Sequence, residues 1–370
     1  MIRIVDKKKC CGCTACMAVC PVDAITMIPD EMGFRYPSVN TDICIDCGEC
    51  DSVCSFKPVI TRSEEAIWSV VRYEDSLDRS QSGGFAYEAM ARCIKAGFVV
   101  YGAALDDSMC TVHMRAETLE DIERFRGSKY TQSDLGGVFR EIRDDLASGR
   151  KVLFTGTPCQ CAGLASYVGD LSKDRLVMLD IVCHGVAAPA VWNAYVKTME
   201  DWAGERVKSA VFRDPRFGWN YNKETFRFDG WEMQFDSFRS LYKKILMTMP
   251  SCSECPFASL ARPSDMTAGD AWGIENTDHG LNDGKAVSLC ILSTSAGKDL
   301  FPEIQPVDDP SPYYQGSFMT PVVPNPRSEE FRRDFIEKDY IYLDKKYVPR
   351  SSYRLFKARV HLLLRKYLHI

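Results

Sequence analysis

Between residues 66 and 183 the apolar positions follow two alternating rhythms. Short runs rich in β-branched and aromatic residues, WSVVRYED (68–75), FVVYGAAL (98–105), KVLFTG (151–156) and LVMLDIVC (176–183), read as strands. Stretches with helical spacing lie between them: SGGFAYEAMARCIKAG (82–97), LGGVFREIRDDLASG (135–149) and TPCQCAGLASYVG (157–169). The first opens on glycines and the second stops on one; Thr157 can cap the third, and Pro158 suits its first turn. The alternation predicts an α/β core around a parallel sheet. One helix joins the strands at 151–156 and 176–183, which are therefore expected to be parallel near neighbours. Farther on, SAVFRDPRFGW, ETFRFDG and WEMQFDS (209–237) read as short strands of an antiparallel insertion with a turn at Asp229–Gly230; a lid and an interface suit it equally. Before the core, AITMIPDEMGFRYPSV (24–39) fits a hairpin turning near Asp30–Gly33. At the other end, SSYRLFKARVHLLLRKYLHI (351–370) carries five basic residues and no acidic ones, with Phe356, Val360, Leu363, Leu364 and Tyr367 on one helical face. Such a helix suits an anionic membrane surface, a partner or its own chain.

Composition narrows the class. A chain of 370 residues, 45% hydrophobic and 26% charged, is globular, with room for two or three domains. A net charge of -5 gives no footing for nucleic acid. No apolar run reaches membrane-spanning length, and MIRIVDKKKC lacks the apolar segment of a signal peptide, so a cytoplasmic location is expected. Seventeen cysteines is an odd count; in a reducing compartment clustered cysteines read as metal sites.

Two runs repeat one spacing, C-x2-C-x2-C-x3-C: Cys10, Cys13, Cys16 and Cys20, followed by Pro21, and Cys44, Cys47, Cys50 and Cys54. Three thiolates stepped by three wrap one face of a cubane, and the fourth reaches the other cluster in two-cluster ferredoxins. On that rule Cys10, Cys13, Cys16 and Cys54 hold one [4Fe-4S], and Cys44, Cys47, Cys50 and Cys20 the other. The stretch 1–58 resembles the bacterial-type two-cluster ferredoxin domain. Zinc is the competing reading, but zinc sites favour two well-separated C-x2-C pairs. Cys11 breaks the step of three and is read as a bystander. Ser55 stands where a proline would follow Cys54, which changes loop stiffness rather than ligation.

A third site is suggested by strand ends. Cys159 and Cys183 fall just past the carboxyl ends of neighbouring strands, the edge where open α/β sheets bind ligands. Cys252 and Cys255 add a C-x2-C pair. Four thiols that can converge suit a third [4Fe-4S], although zinc or unliganded core cysteines fit the spacing as well. Cys161 rivals Cys159, while Cys93, Cys110 and Cys290 read as packing residues in helix or strand cores.

The segments SGGF, RGSKYTQS, LFTGTPCQCAGL, DIVCHGV, FRDPRFGW, SCSECPF and SDMTAGDAWG occur in one order. Over roughly residues 66–300 they resemble the family of coenzyme F-420 hydrogenase/dehydrogenase β-subunits, whose members are iron–sulfur flavoproteins. The resemblance implies cluster ligands at Cys159, Cys183, Cys252 and Cys255, and FAD as the flavin. There is no G-x-G-x-x-G after a strand and no phosphate-binding P-loop. A flavin pyrophosphate still needs backbone donors at a helix start, and Ser82, Gly83 and Gly84 offer them; an ordinary glycine-rich helix start is the plainer reading. Arg126, Ser128, Lys129, Tyr130 and Gln132 cluster in a loop, with Lys129 the candidate cation beside the flavin, against a solvated surface loop as the alternative. Thr155, Gly156 and Thr157 can face the ring. His184, beside Cys183, is a candidate proton carrier or, preferably, a hydrogen-bonding neighbour of the cluster. Arg262, Asp265, Asp270 and Trp272 line either a substrate mouth or an ion-paired structural loop.

The expected organisation is thus a ferredoxin-like α+β domain (1–58), a linker (59–66), a flavin- and cluster-binding α/β domain with an antiparallel insertion (67–325) and a basic amphipathic tail (326–370). The expected function is an oxidoreductase moving electrons between a ferredoxin or other redox protein and a hydride partner, through three [4Fe-4S] clusters and FAD. The hydride partner is a deazaflavin, NAD(P)H or an organic substrate. Placement as an oligomer or complex subunit is expected, with the tail touching a membrane or a partner. Three rivals stand beside this reading: a ferredoxin-dependent reductase of an organic substrate, a non-catalytic relay subunit, and a redox-sensing or zinc-stabilised scaffold.

Overall fold

The computed structural model describes residues 1–56, 65–219 and 223–348; the basic segment 351–370 lies outside the described residues. In the N-terminal part, the short helices Ala15–Val19 and Glu49–Ser52 carry the third cysteine of each run, Cys16 and Cys50. Between them β1 (Ile25–Pro29) and β2 (Arg35–Val39) pair antiparallel from Ile25↔Val39 to Pro29↔Arg35, the expected hairpin. Its turn is held by Asp30, whose carboxylate accepts from the amides of Met32 and Phe34 at 3.0 Å each and pairs with Lys7 at 2.6 Å.

The chain then lays down β3 (Ile67–Val71), β4 (Val99–Leu105), β5 (Thr111–Ala116), β6 (Val152–Gly156) and β7 (Leu176–Ile181). An insertion of β8 (Ser209–Val211), β9 (Glu224–Arg227) and β10 (Glu232–Phe235) forms its own antiparallel sheet. The chain returns with β11 (Met266–Asp270) and β12 (Ser288–Leu292). The large sheet has the order β3-β12-β11-β7-β6-β4-β5. Its centre is parallel, and β6 and β7 are adjacent as expected. Both flanks are antiparallel, which the expected parallel sheet did not include. The reason is local: β5 and β12 follow β4 and β11 without a crossover helix, and a direct return can only be antiparallel.

Helix Phe85–Lys95 covers one face of the sheet, burying Phe85, Ala89 and Cys93 with Val100, Leu153, Leu179 and Cys290. Helices Val138–Ala147 and Pro158–Val168 cover the other, and their outer side packs Ile2, Ala15, Cys16, Ala18, Ile25 and Val53 of the N-terminal part into the same core. The Arg140 guanidinium donates to the carbonyls of Met17, Ala18 and Cys20 at 2.9–3.2 Å, answering the open carbonyl end of helix Ala15–Val19. Arg35 pairs with Asp134 at 2.8 Å, and Ser166 donates to the Val53 carbonyl at 2.8 Å. The insertion rests on helix Pro189–Ala203 through Trp192, Tyr195, Phe212, Phe226 and Phe238. Helices Ser328–Glu337 and Tyr340–Tyr347, assigned from sequence to the tail, belong to that same core through Phe331, Tyr340, Leu343 and Tyr347. Cys110 is not the expected core residue: it lies half-buried before β5 with Sγ 3.7 Å from Asn193 Oδ1.

One glycine marks how closely the two parts meet. Gly163 sits inside helix Pro158–Val168, where glycine is less favourable than alanine by about 1 kcal/mol. A Cβ there would stand 2.7 Å from Cys13 Sγ and 2.8 Å from Cys13 Cβ. Gly163→Ala is therefore expected to gain helix propensity and still lose about 1–3 kcal/mol to overpacking. A lower thermal midpoint together with loss of iron would record it; an unchanged midpoint would show that the cysteine loop gives way.

Candidate functional site

The two cysteine runs trace one backbone path twice. Gly12 and Asp46 occupy equivalent positions and take φ of +67° and +53°; Thr14 and Gly48, two residues on, take +67° and +80°. Left-handed residues interleaved in this way turn backbone amides into a concavity that suits an anionic cluster. One hollow of about 350 Å³ is lined by Cys10, Cys13, Cys16 and Cys54, and by Thr14, whose buried hydroxyl has no protein partner. A second, of about 340 Å³, is lined by Cys20, Cys44, Cys47 and Cys50. These are the two interlocked quartets expected from spacing. The Ile2 amide donates to Cys50 Sγ at 3.1 Å and the Ala24 amide to Cys20 Sγ at 3.2 Å, bonds of the kind that help set a cluster's potential. Among the described residues no three His, Cys, Asp or Glu side chains close round one point as ligands of a single ion do. A zinc ion would require that, with Zn–S bonds of about 2.3 Å. Thiols spread round a hollow suit a group with its own inorganic body.

The third quartet comes from three segments. Cys159 is in the first turn of helix Pro158–Val168, directly after β6, and Cys183 lies two residues beyond β7. Cys252 sits in the 3-10 helix Pro250–Glu254, and Cys255 caps it. A narrow ribbon brings them together: the Met249 amide donates to the Val186 carbonyl at 3.0 Å, and the Ala188 amide to that of Met247 at 2.9 Å. A Cβ on Gly185 would stand 3.4 Å from Cys252 Sγ. All six pairs among Cys159, Cys183, Cys252 and Cys255 are close enough for one thiolate's charge to be felt by the other. Burial pushes the Cys183 thiol up to about 12 and that of Cys255 to about 11. A metal group taken up here as thiolates would displace those protons. Thr157 Oγ1 lies 3.2 Å from Cys159 Sγ. Cys161, its sequence rival, faces the sheet instead, fully buried with Sγ 4.0 Å from the Leu179 carbonyl.

The first and third quartets adjoin. The negative charge of Cys159 reaches Cys10, and Tyr36 feels both Cys10 and Cys252. Cys13 and Cys159 together raise the Cys11 thiol well above the ordinary cysteine range. Lys9 pairs with Glu254 at 2.5 Å and Lys8 with the same carboxylate at 3.6 Å, tying the first run to the C-x2-C loop.

The residues expected to face a flavin gather around the carboxyl edge of the sheet. Ser82 donates its hydroxyl to the carbonyls of Val287 at 2.9 Å and Gly269 at 3.4 Å. A Cβ on Gly83 would stand 2.3 Å from the Val71 carbonyl oxygen, so only glycine lets this turn lie against β3. Gly84 caps the following helix, and the Phe85 amide donates to Ser288 Oγ at 3.4 Å. In the fold, then, SGGF seats its helix on the sheet. The two loops expected to serve one cofactor do meet, since Arg126 donates to Ser80 Oγ at 3.0 Å. Ser128 is exposed, while Tyr130 is half-buried between the Arg239 guanidinium, 4.4 Å from its ring, and Tyr242 at 4.9 Å. Thr155 Oγ1 donates to the Tyr101 carbonyl at 3.2 Å; a Cβ on Gly156 would stand 2.9 Å from the Phe154 ring; the Thr157 amide donates to Gln160 Oε1 at 2.9 Å.

The outer residues divide. Arg262 is buried against Asp180 at 2.7 Å, and Asp265 accepts from the Met178 amide and the Thr294 hydroxyl, both at 2.7 Å, so these two are structural. Asp270 and Trp272 instead meet the insertion. Asp270 holds Arg213 of the insertion at 2.9 Å and accepts from Trp219 Nε1 at 3.1 Å. Trp219 stacks on Trp272 with centroids 4.7 Å apart and planes at 8°. Gln315 donates to the Asp270 carbonyl at 2.7 Å, and desolvation lowers the pKa of His184 against the opposing influence of Gln315. Arg213, Trp219 and Gln315 were not singled out from sequence. The motif FRDPRFGW contains the first two, but nothing in a linear pattern says which side chains of an insertion reach back to the sheet.

Lys129 donates to the carbonyls of Arg124 and Arg126 at 3.0 and 2.8 Å, and desolvation holds its amine at about 7. The folded state therefore binds fewer protons here than the unfolded chain between pH about 7 and the ordinary lysine value. The cost of burying the charge is full below that window and is lost as pH rises through it. Replacing Lys129 with methionine is expected to stabilise the protein relative to the parent at pH 6, by on the order of a few kcal/mol, with the difference shrinking towards pH 10. Paired denaturation curves at the two pH values test this; equal differences at both would refute it.

Comparison with known proteins gives the geometry its context. Residues 9–57 match the 4Fe-4S dicluster domain family. Residues 149–307 match the family described as the C terminus of the coenzyme F420 hydrogenase/dehydrogenase beta subunit. The F subunit of the F(420)H(2) dehydrogenase of Methanosarcina mazei is 21% identical over 195 residues, 49% of this chain and 55% of that protein. The chain thus spans about half the length of that curated relative. An uncharacterized ferredoxin of Methanocaldococcus jannaschii is 32% identical over 59 residues, 16% of this chain and 75% of the ferredoxin. A chain from the F420-reducing [NiFe] hydrogenase complex of Methanosarcina barkeri matches over 79% of this chain and 95% of its own, at 16% identity and a TM-score of 0.45. Residues 149–307 thus resemble the C-terminal part of coenzyme F420 hydrogenase/dehydrogenase β-subunits, and a 4Fe-4S dicluster domain match precedes them at residues 9–57.

Proposed function

We propose that this chain is an iron–sulfur flavoprotein subunit of a redox complex, holding three [4Fe-4S] clusters and FAD. The family supports iron–sulfur electron transfer; the number of clusters and the flavin are our reading. One observation carries it: Cys159, Cys183, Cys252 and Cys255, from three separate segments, converge at the carboxyl edge of the sheet beside the first ferredoxin quartet. When bound, cubanes supply one-electron and a flavin two-electron transfer, so a chain holding both converts between them.

The chain's own residues do the holding. Three quartets supply thiolates. Thr157 places its hydroxyl against Cys159, and His184 adjoins Cys183 in the chain. Thr155 to Thr157 present backbone at the sheet edge, and the stacked rings of Trp219 and Trp272 stand beside Asp270. The Asp270 carboxylate fixes Arg213 there, so the insertion serves as one wall of the site. The name of the Methanosarcina mazei relative, part of an F(420)H(2) dehydrogenase, favours a reduced deazaflavin as hydride donor and a ferredoxin-type protein as electron acceptor. Among the described residues no helix is long and apolar enough to cross a membrane; we assign the chain to the cytoplasm.

Anaerobic purification with iron, sulfide, zinc and flavin assays tests this reading. Three cubanes' worth of iron and sulfide with stoichiometric flavin is expected, together with bleaching by reduced deazaflavin and not by NADPH. Stoichiometric zinc without sulfide would establish the scaffold instead, and iron–sulfur without flavin would leave a one-electron relay.

A further inference from the structure

We propose that Tyr242 is a positioning residue for the third cysteine quartet: its hydroxyl fixes the loop that carries Cys183 and so helps set the reduction potential of the group held there. This rests on the three-cluster reading above. The first observation is how that loop is tied down. At its start the Val182 amide donates to the Ala268 carbonyl at 2.8 Å. At its end, residues 186–188 form the middle of a three-part ribbon. On one side the Ala187 amide donates to the Tyr130 carbonyl at 2.8 Å and the Gln132 amide to that of Ala187 at 3.1 Å, which joins the ribbon to loop 126–133. On the other side Ala187 bridges to Thr248, in the segment that leads to Cys252. Cys183, His184 and Gly185 span the gap between these ties, and a side chain reaches into it: Tyr242 Oη donates to the Gly185 carbonyl at 3.0 Å.

The second observation is what stands on either side of that bond. Tyr242 comes from the insertion, in helix Ser237–Lys243 after β10, and is buried. Its ring packs on Tyr130 with centroids 4.9 Å apart, and Tyr130 in turn meets Phe212 at 5.9 Å. The hydroxyl is thus held from behind by an aromatic core. Gly185, with φ of +87°, lies against the other half of the quartet: a Cβ there would stand 3.2 Å from Cys252 Cβ and 3.4 Å from Cys252 Sγ. One hydrogen bond therefore acts where the Cys183 loop meets the C-x2-C loop.

The chemistry follows from the bond's direction. A carbonyl oxygen carries partial negative charge, and a donor on it offsets part of that charge. In Tyr242→Phe the ring and its packing stay, while the carbonyl loses its donor beside the quartet. An added electron is then less well accommodated, and the potential of that site falls. Tyr242 gives a hydrogen bond and transfers neither proton nor electron.

The test uses the full chain purified anaerobically with its clusters, titrated through its reduction and followed by electron paramagnetic resonance. At the parent's third-cluster midpoint, Tyr242→Phe is expected to lower the reduced-to-oxidised ratio of that cluster by roughly two- to tenfold, with the first two clusters unmoved. Loss of the third cluster alone would support the same role, since the freed loop no longer holds Cys183. Tyr195→Phe is the control: Tyr195 belongs to the same aromatic core, and its buried hydroxyl has no partner among the described residues. It should leave all three potentials in place. An unmoved or raised third potential in Tyr242→Phe, an equal shift of all three, or the same shift in Tyr195→Phe would overturn the proposal and leave the function standing. A parent protein with two clusters only would overturn the three-cluster reading itself, and this inference with it.

Discussion

Replacing Cys54 with alanine is expected to empty the first cluster site and spare the second, although Cys54 belongs to the second cysteine run. The physical ground is the interlock: Cys54 lines the hollow of Cys10, Cys13 and Cys16, while Cys20 completes that of Cys44, Cys47 and Cys50. In the Cys-x3-Cys step the last residue of each run crosses to the other site. About a third of the iron should be lost, and the remaining spectrum should match that of two clusters. The reciprocal change, Cys20→Ala, should spare the first site and empty the second. If each variant instead lost the cluster of its own run, the interlock would be wrong. The structural cost is not confined to the metal. Residues lining the hollows, Ala15 and Cys16 at the first and Ile25 and Cys50 at the second, share a core with helices Val138–Ala147 and Pro158–Val168, so the emptied site should also lower the thermal midpoint of the whole chain.

Cys183→Ala has the larger functional effect. It removes one thiolate of a quartet assembled from three segments. Cys161, the nearest in sequence to Cys159, is directed into the sheet. Resonance spectra of the reduced variant should show two clusters in place of three, and electron delivery from flavin to an added ferredoxin should fall to background while bleaching of the flavin by its hydride donor persists. That split is the informative result: a variant that lost bleaching as well would point to a collapsed cleft, since Gly185 and the ribbon to Met249 lie beside Cys183. A count of three clusters would remove Cys183 from the ligands.

Different parts of the molecule were legible to different degrees. Spacing alone predicted which four cysteines share each ferredoxin hollow, because the step of three and the crossing fourth residue are properties of one short backbone path. The hairpin, the central β6–helix–β7 unit and the turn at Asp229–Gly230 follow equally local rules. The flanks of the sheet did not, because whether a strand returns antiparallel depends on the lack of a crossover helix and on what covers the edge.

By itself, then, the order of residues determined the chemistry on offer: twelve thiols in quartets, glycine-opened helix starts, and a polar loop that contains Lys129. Folding decided the use. It moved Arg262 and Asp265 into the core and brought Arg213 and Trp219 from a distant insertion to Asp270 and Trp272. It also set the amine of Lys129 between two carbonyls, where desolvation holds it near neutrality. The physical reason is that ligand type and step are local properties of a chain, whereas burial, charge neighbours and the approach of two sites depend on which surfaces pack together, and packing is set by the whole core.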